Sequence, residues 1–227
     1  MEQLSPQLMH KLVFTVLMHG LNDAQAGIAY RLLTDALEHP NQQIRELAVV
    51  ALADLSVTPA KRVPALVIAL KDENARVRRR AARALGDQGP ASQTVLPQLT
   101  EGLKDLDASV RRDCAGSIGR LGPSAHPASS ALIPMLGEPE HRTRAIVGVA
   151  LRRIGRGALP ALLEGAKSPS AELRARCVTL LGKIAPTEPE VTALLQLVLA
   201  DVDFEVRARA TEALQGTATP LPSAAGV

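Results

Sequence analysis

Large aromatic side chains are nearly missing from this sequence: 227 residues hold one Tyr, two Phe and no Trp. A single thick core normally leans on such rings. Ala, Leu, Val and Ile must do the packing instead, which suits thin layers of helices. Cysteine is scarce too: Cys114 and Cys177 alone cannot build a disulfide scaffold, and a reducing cytoplasm is the expected compartment. No apolar run approaches the ~20 residues of a membrane span. Met1 to His10 lacks the basic start and small-residue cleavage site of a secretory signal. What is present is 46% hydrophobic and 22% charged residues, the balance of a folded chain long enough to bury a sizeable core.

The chain repeats itself. An Arg framed by apolar positions recurs at 45, 78, 111, 144, 174 and 207, at spacings of 33, 33, 33, 30 and 33. Three residues after each stands Ala48, Ala81, Cys114, Val147, Cys177 or Ala210. Seven after stands Leu52, Leu85, Ile118, Leu151, Leu181 or Leu214. These columns have the 3.6-residue period of a helix. Gly89-Pro90, Gly122-Pro123 and, less closely, Ala185-Pro186 end that helix. An earlier helix in each unit reads Pro64 to Leu70, Pro97 to Leu103, Pro160 to Ala166 and Val191 to Ala200, with Pro tolerated in a first turn. In the fourth unit Pro134 falls inside this helix and predicts a kink or a late start.

Two helices per ~30-residue unit, stacked in series, form a solenoid. The pattern resembles the HEAT-repeat family, in particular the short bacterial HEAT-like repeats associated with phycobilisome lyases. The motif carrying the resemblance runs from Leu70-Lys71-Asp72 through Val77-Arg78 to Leu85-Gly86. It recurs from Leu103-Lys104-Asp105 through Val110-Arg111 to Ile118-Gly119. The expected fold is therefore all-α: a right-handed α-solenoid of about six two-helix repeats, at 23–57, 58–90, 91–123, 124–156, 157–186 and 187–216. Residues 1–22 hold a helix with Leu8, Leu12, Val16 and Leu17 on its apolar side and Phe14 and Met18 beside them, read as a cap on the first repeat or a docking helix for another chain. Residues 217–227 are expected to be a disordered tail.

Six residues before each repeat Arg lies His39, Asp72, Asp105, Glu138, Ser168 or Asp201. An acid there, in the turn before the second helix, can accept backbone N–H groups and favour the helix dipole. Arg45, Arg78, Arg111, Arg144, Arg174 and Arg207 can reach the acid of their own or an adjacent repeat. The resemblance also implies such a ladder, and the role expected for these residues is structural.

Charge is uneven beyond the ladder. Residues 76–183 carry 18 basic and 9 acidic side chains, and the rest of the chain 8 and 14. Arg76, Arg80, Arg120, Arg142, Arg153, Arg176, Lys183 and Arg209 recur at offsets that share one helix face, with Arg83 and Arg112 beside them. In HEAT-like solenoids the second helices line the concave side, so the resemblance places this stripe in the groove. It is either a solvated face or a docking surface for an acidic partner. Ile146 and Val149 interrupt it with an apolar spot, a binding centre unless the Pro-rich loop Pro123 to Ser130 covers it.

Catalytic signatures are weak. His10, His19, His39, His126 and His141 precede Lys, Gly, Pro, Pro and Arg, so the His-Glu pairs of HEAT-like di-iron hydroxylases do not occur. Gly116, Gly119 and Gly122 match no P-loop or dinucleotide fingerprint. Cys114 and Cys177, two repeats apart, should lie ~20 Å from each other, beyond disulfide reach. No metal or cofactor is expected. The function expected is a non-catalytic scaffold or adaptor that binds an acidic peptide or domain in the groove, as a monomer or weak oligomer. A bilin-lyase-like role on a chromophore-bearing antenna protein is the alternative implied by the family. Nucleic-acid backbone binding is a further one, disfavoured by the lack of aromatics on which single strands stack.

Overall fold

A computed structural model describes residues 5–19, 21–88 and 94–218. Its turns explain its helices. Each second helix begins at a polar residue four positions before the repeat Arg. Asn41, Asn74 and Asp107 accept from the backbone N–H groups of Gln43, Arg76 and Ser109 at 2.8, 2.9 and 2.8 Å. Ser170 and Asp203 do the same for Leu173 and Glu205. These caps satisfy donors that the first helical turn would otherwise leave open. The acid two residues earlier braces the cap: Asp72, Asp105 and Asp201 accept from the N–H of Asn74, Asp107 and Asp203 at 2.7–2.9 Å.

The helices are α1 (Pro6–His19), α2 (Asp23–Ala36), α3 (Gln42–Asp54), α4 (Pro59–Ala69), α5 (Ala75–Gly86), α6 (Leu96–Glu101), α7 (Ala108–Arg120), α8 (Ser129–Leu132), α9 (His141–Ile154), α10 (Leu159–Gly165), α11 (Ala171–Ile184), α12 (Pro189–Val198) and α13 (Phe204–Ala218). No strand occurs among the described residues. The chain divides into two compact units, Met1–Leu121 and Gly122–Val227. In the first, α1, α3, α5 and α7 pack side by side in a row, and α2, α4 and α6 pack on the partners that follow them. In the second, α9, α11 and α13 form the row, with α10 on α11 and α12 on α13. Such serial pairing of helices defines an all-α repeat solenoid.

Small side chains let the layers close. Ala48, Ala81, Cys114, Val147, Cys177 and Ala210 are fully buried, as are Leu52, Leu85, Ile118, Leu151 and Leu181. A Cβ added at Gly102 would fall 2.4 Å from Cys114 Sγ, and one at Gly165 would fall 2.7 Å from Cys177 Sγ. At the same twelve-residue spacing the first two repeats pair Ala36 with Ala48 and Ala69 with Ala81, all buried. The core thus matches a larger residue on one helix with a smaller one on its partner. Gly122, with φ +64°, lies just beyond α7 in a backbone conformation that closes a helix and that a Cβ resists.

Several boundaries differ from the sequence expectation. The helix α4 starts at Pro59, so Pro64 lies inside it; Pro64 is exposed, which lets the Ala60 carbonyl it leaves without a donor meet water. In the fourth unit, proline divides the first helix into a 3-10 segment Gly122–Ala128, the single turn α8 and a second 3-10 segment opening at Pro134. The stretch Pro123 to Ser130 is therefore short helix, with Ala125, Ala128 and Ser129 buried, and not a free loop. The helix α1 turns Met9, Val13 and Val16 inward and leaves Leu8 and Phe14 exposed. Thr217 and Ala218 belong to α13; the expected tail from 219 on, and the expected stop at Gly89-Pro90, lie outside the described residues.

Candidate functional site

The repeat arginines form a directional ladder. Arg45 Nε and Nη2 donate to the two carboxylate oxygens of Asp72 at 2.8 and 3.0 Å. Arg78 does the same to Asp105 at 2.7 and 2.8 Å, and Arg174 to Asp201 at 2.8 and 2.7 Å. The acid always comes from the following repeat. Nη1 turns back to the carbonyls of its own turn, as Arg78 does to Asp72 and Glu73 and Arg111 to Asp105 and Leu106. Arg144 donates to Glu138 O and Pro139 O, and the position one repeat on is Ser168, which has no carboxylate. Arg207 donates to Asp201 O and Val202 O.

Such bidentate, largely buried pairs fix both charges. Burial alone would push Asp105 up, but the Arg78 guanidinium and the Asp107 N–H outweigh it and hold the carboxyl below its usual range. Arg174 does the same for Asp201.

The basic stripe is less available than its composition implies. On α5, Arg76, Arg79, Arg80 and Arg83 share one face and line a recess of about 350 Å³ with Glu46. Arg80 pairs with Glu46 at 3.0 Å. Arg79 and Arg83 both reach Asp113 at 3.0 Å, a carboxylate only 8% exposed. Arg120 pairs with Asp87 at 2.9 Å and donates to Arg83 O and Ser117 Oγ. Arg112 is half-buried and partnered.

In the second unit Arg176 is held by Glu172 and Leu136 O, and Arg209 by Glu205 and Glu212. Among the described residues, Arg76, Arg142, Arg153 and Lys183 are exposed and have no ion-pair partner. Asp113, which interrupts the stripe in sequence, proves to be a buried hub. Its signal was the one-repeat distance to Arg79 and Arg83, 34 and 30 residues.

A second recess, of about 540 Å³, runs along α9, α11 and α13. Ala145, Gly148, Ala175 and Leu180 floor it, and Arg176, Arg209, Glu172 and Glu205 rim it. Ile146 and Val149 lie on the neighbouring side of α9, half-buried and 42% exposed, and do not line this recess.

The thiols of Cys114 and Cys177 are free and buried, and burial pushes both up to about 12. Among the described residues no group of three or more His, Cys, Asp and Glu side chains is placed to hold a metal ion, and no helix is long and apolar enough to cross a membrane.

Paired helices in serial register, tied by an Arg–Asp ladder, define a helical repeat protein. A family model of HEAT repeats matches residues 30–119, 63–152 and 129–215, and the chain belongs to the HEAT-repeat family. YibA of Escherichia coli is similar in fold at 18% identity and TM-score 0.52, covering 92% of this chain and 96% of that one. A designed armadillo repeat protein is similar at 18% identity and TM-score 0.50, covering 82% and 98%. The complex of CpcE and CpcF of phycocyanin lyase from Nostoc sp. PCC7120 matches at 26% identity over 81% of this chain and 75% of that one; its TM-score of 0.49 is too low to support a functional argument. No curated protein sequence matches significantly.

Proposed function

We propose that this HEAT-repeat chain is a non-catalytic interaction scaffold that binds an acidic segment of a partner protein along its second helices. The arginine face of α5 carries this reading. Four guanidiniums surround one recess, and the two carboxylates they engage, Glu46 and Asp113, leave an excess of positive charge. Arg76 has no acid to release before it accepts a new one, so it contributes attraction without breaking a pair. The recess of α9, α11 and α13 adds an apolar floor within a charged rim, the pattern of a protein-binding surface. Two buried free thiols suit a reducing compartment such as the cytoplasm. The chromophore-lyase reading rests on family resemblance alone.

The test is a fluorescence-anisotropy titration of the full chain with a labelled peptide rich in Glu. Saturable binding that weakens with salt is expected. Arg76→Glu, at a side chain without an ion pair, should weaken it about tenfold. Unchanged affinity in that variant refutes the reading, and tighter binding of a random DNA duplex than of the peptide replaces it with the nucleic-acid alternative.

A further inference from the structure

The arginine ladder is interrupted inside the stack, at Arg144. Its Nη1 donates to Glu138 O at 2.9 Å and Pro139 O at 2.6 Å, the same local anchor that Arg45, Arg78 and Arg174 use. That anchor sets the plane of the guanidinium. In Arg45, Arg78 and Arg174 the opposite edge, Nε and Nη2, takes both oxygens of an Asp at 2.7–3.0 Å. The same edge of Arg144 has no acceptor among the described residues. Acids near it are engaged elsewhere: Glu140 accepts from Thr143, Glu164 from Lys167 and Glu172 from Arg176.

The place of the missing acid is kept. Ser168 Oγ accepts from the Ser170 N–H at 3.2 Å, as the carboxylates of Asp72, Asp105 and Asp201 accept from the N–H two residues on. The turn thus has the form of the others, with a hydroxyl where they hold a carboxylate. Arg144 also lines the recess of about 540 Å³ along α9, α11 and α13. Arg144, Arg176 and Arg209 line it with Glu172 and Glu205. Glu172 answers Arg176 and Glu205 answers Arg209, so the excess positive charge of the recess rests on Arg144. One turn further along α9, Gly148 carries no side chain, and a Cβ there would rest 3.8 Å from Leu180 Cδ2. Ala145 and Ala175 flank it. The floor is apolar and leaves depth for a side chain from outside.

We propose that this recess docks an extended segment of a partner protein carrying an Asp or Glu and, two residues on, a Leu or Ile. The carboxylate completes the Arg144 fork, and the apolar side chain fills the space over Gly148. The spacing follows from geometry. Four residues of α9 separate the two points, a rise of about 6 Å, and residues i and i+2 of an extended strand stand about 6.6 Å apart on one face. A free anion would satisfy the fork but leave the floor in water, so charge and floor together select a protein segment. Because the guanidinium is already oriented and gives up no carboxylate, docking there loses less than at a paired Arg. The inference rests on the scaffold reading for the class of partner, but uses none of the arginine face of α5.

The test follows the Arg144 Nε–H resonance of the full chain by NMR, assigned through its loss in Arg144→Lys. The probe is a Gly/Ser-flanked peptide containing Asp-Ala-Leu. The signal should shift saturably with the peptide, and about tenfold more weakly with Asn for Asp or Ser for Leu in the probe. Ser168→Asp should supply the missing carboxylate from the chain itself, raising the melting temperature by about 2–4 °C and abolishing the response to the peptide. Ala145→Trp, at an exposed position, should block the peptide and leave the melting temperature unchanged. An Arg144 signal that ignores the peptide overturns the inference. So does a signal that acetate at equal concentration moves as far, or a Ser168→Asp protein that still binds. Arg76→Glu should leave this response unchanged, and Ser168→Asp should leave binding of the Glu-rich peptide at α5 unchanged, so the two readings can fail separately.

Discussion

Replacing Gly102 by Ala should destabilise the protein although the backbone permits it. Gly102 has helical angles, φ −62° and ψ −14°. In the unfolded chain an Ala is worth about 0.4–1 kcal/mol in favour of folding, because it has fewer conformations to lose. Against this, the new Cβ falls 2.4 Å from Cys114 Sγ, where nonbonded heavy atoms normally rest about 3.5–4.0 Å apart. Cys114 is fully buried and cannot swing into solvent. Helix α6 or α7 must shift by more than ~1 Å, and overpacking of that kind costs about 1–3 kcal/mol. The expected net loss is about 1–2 kcal/mol.

Cys114→Ala alone should cost about 1 kcal/mol for the sulfur-sized void. The double variant recreates the Ala69–Ala81 pairing already present one repeat earlier, so it should recover most of the Gly102→Ala loss. Urea denaturation of all four proteins, followed by circular dichroism, yields the coupling energy. A Gly102→Ala protein as stable as wild type, or strictly additive losses, would refute size matching between the helices.

The other predictions concern charge and thiols. Arg78→Ala should cost about 2–4 kcal/mol, because it strands a carboxylate 12% exposed, while Arg76→Ala, without an ion pair, should cost under about 0.5 kcal/mol by the same denaturation. Asp105 and Asp201 are held below the usual carboxylate range. Their contribution is therefore full above that range and disappears as pH falls through it to the lower folded-state values; Asp105→Asn should flatten this acid limb of stability against pH. Both cysteines, pushed up to about 12 and buried, should resist alkylation at mildly alkaline pH until denaturant is added, read by mass spectrometry. Arg120→Glu should lower the melting temperature, since Arg120 holds Asp87, Arg83 O and Ser117 Oγ, whereas Arg153→Glu should not.

The period of the sequence carried the helices, because a unit repeated six times averages out local ambiguity. Inside one unit it carried less. Pro64 looked like a helix start because Pro favours first turns, but Thr58 and Pro59 open the helix a full turn earlier. The inward face of α1 was off by one residue because Leu8, Met9, Leu12, Val13, Phe14 and Val16 leave hardly any polar side to set the phase. The column Asn41, Asn74, Asp107, Glu140, Ser170 and Asp203 was readable as caps but was hidden by the acids two places before it.

The direction of the ladder was not legible. An acid six residues before each Arg is compatible with pairing inside a repeat or across to the next. Only the folded turn shows that Nη1 takes the local carbonyls and leaves the fork for the neighbour. The lateral pairs were invisible for a related reason. Glu46 and Arg80, or Asp113 and Arg79, lie 34 residues apart, and a helix-face pattern registers neighbours three or four apart.

This difference in range changes how a basic stripe on a repeat protein should be read. Like charges at helical spacing imply a field, yet in a stack each helix row faces another row about one repeat away in sequence, where the counter-charge can stand. Arg79, Arg80, Arg83 and Arg120 are answered in this way. A partner's acid reaching any of them must displace a carboxylate already in place, and it gains only the difference between two similar bonds. A guanidinium without such a partner gives up water alone. Arg76, on the same face of α5 as Arg79, Arg80 and Arg83, is of that kind, and so is Arg153 on α9. On the arginine face of α5, Arg76 is therefore where a partner's acid gains most, and its paired neighbours supply the surrounding positive field.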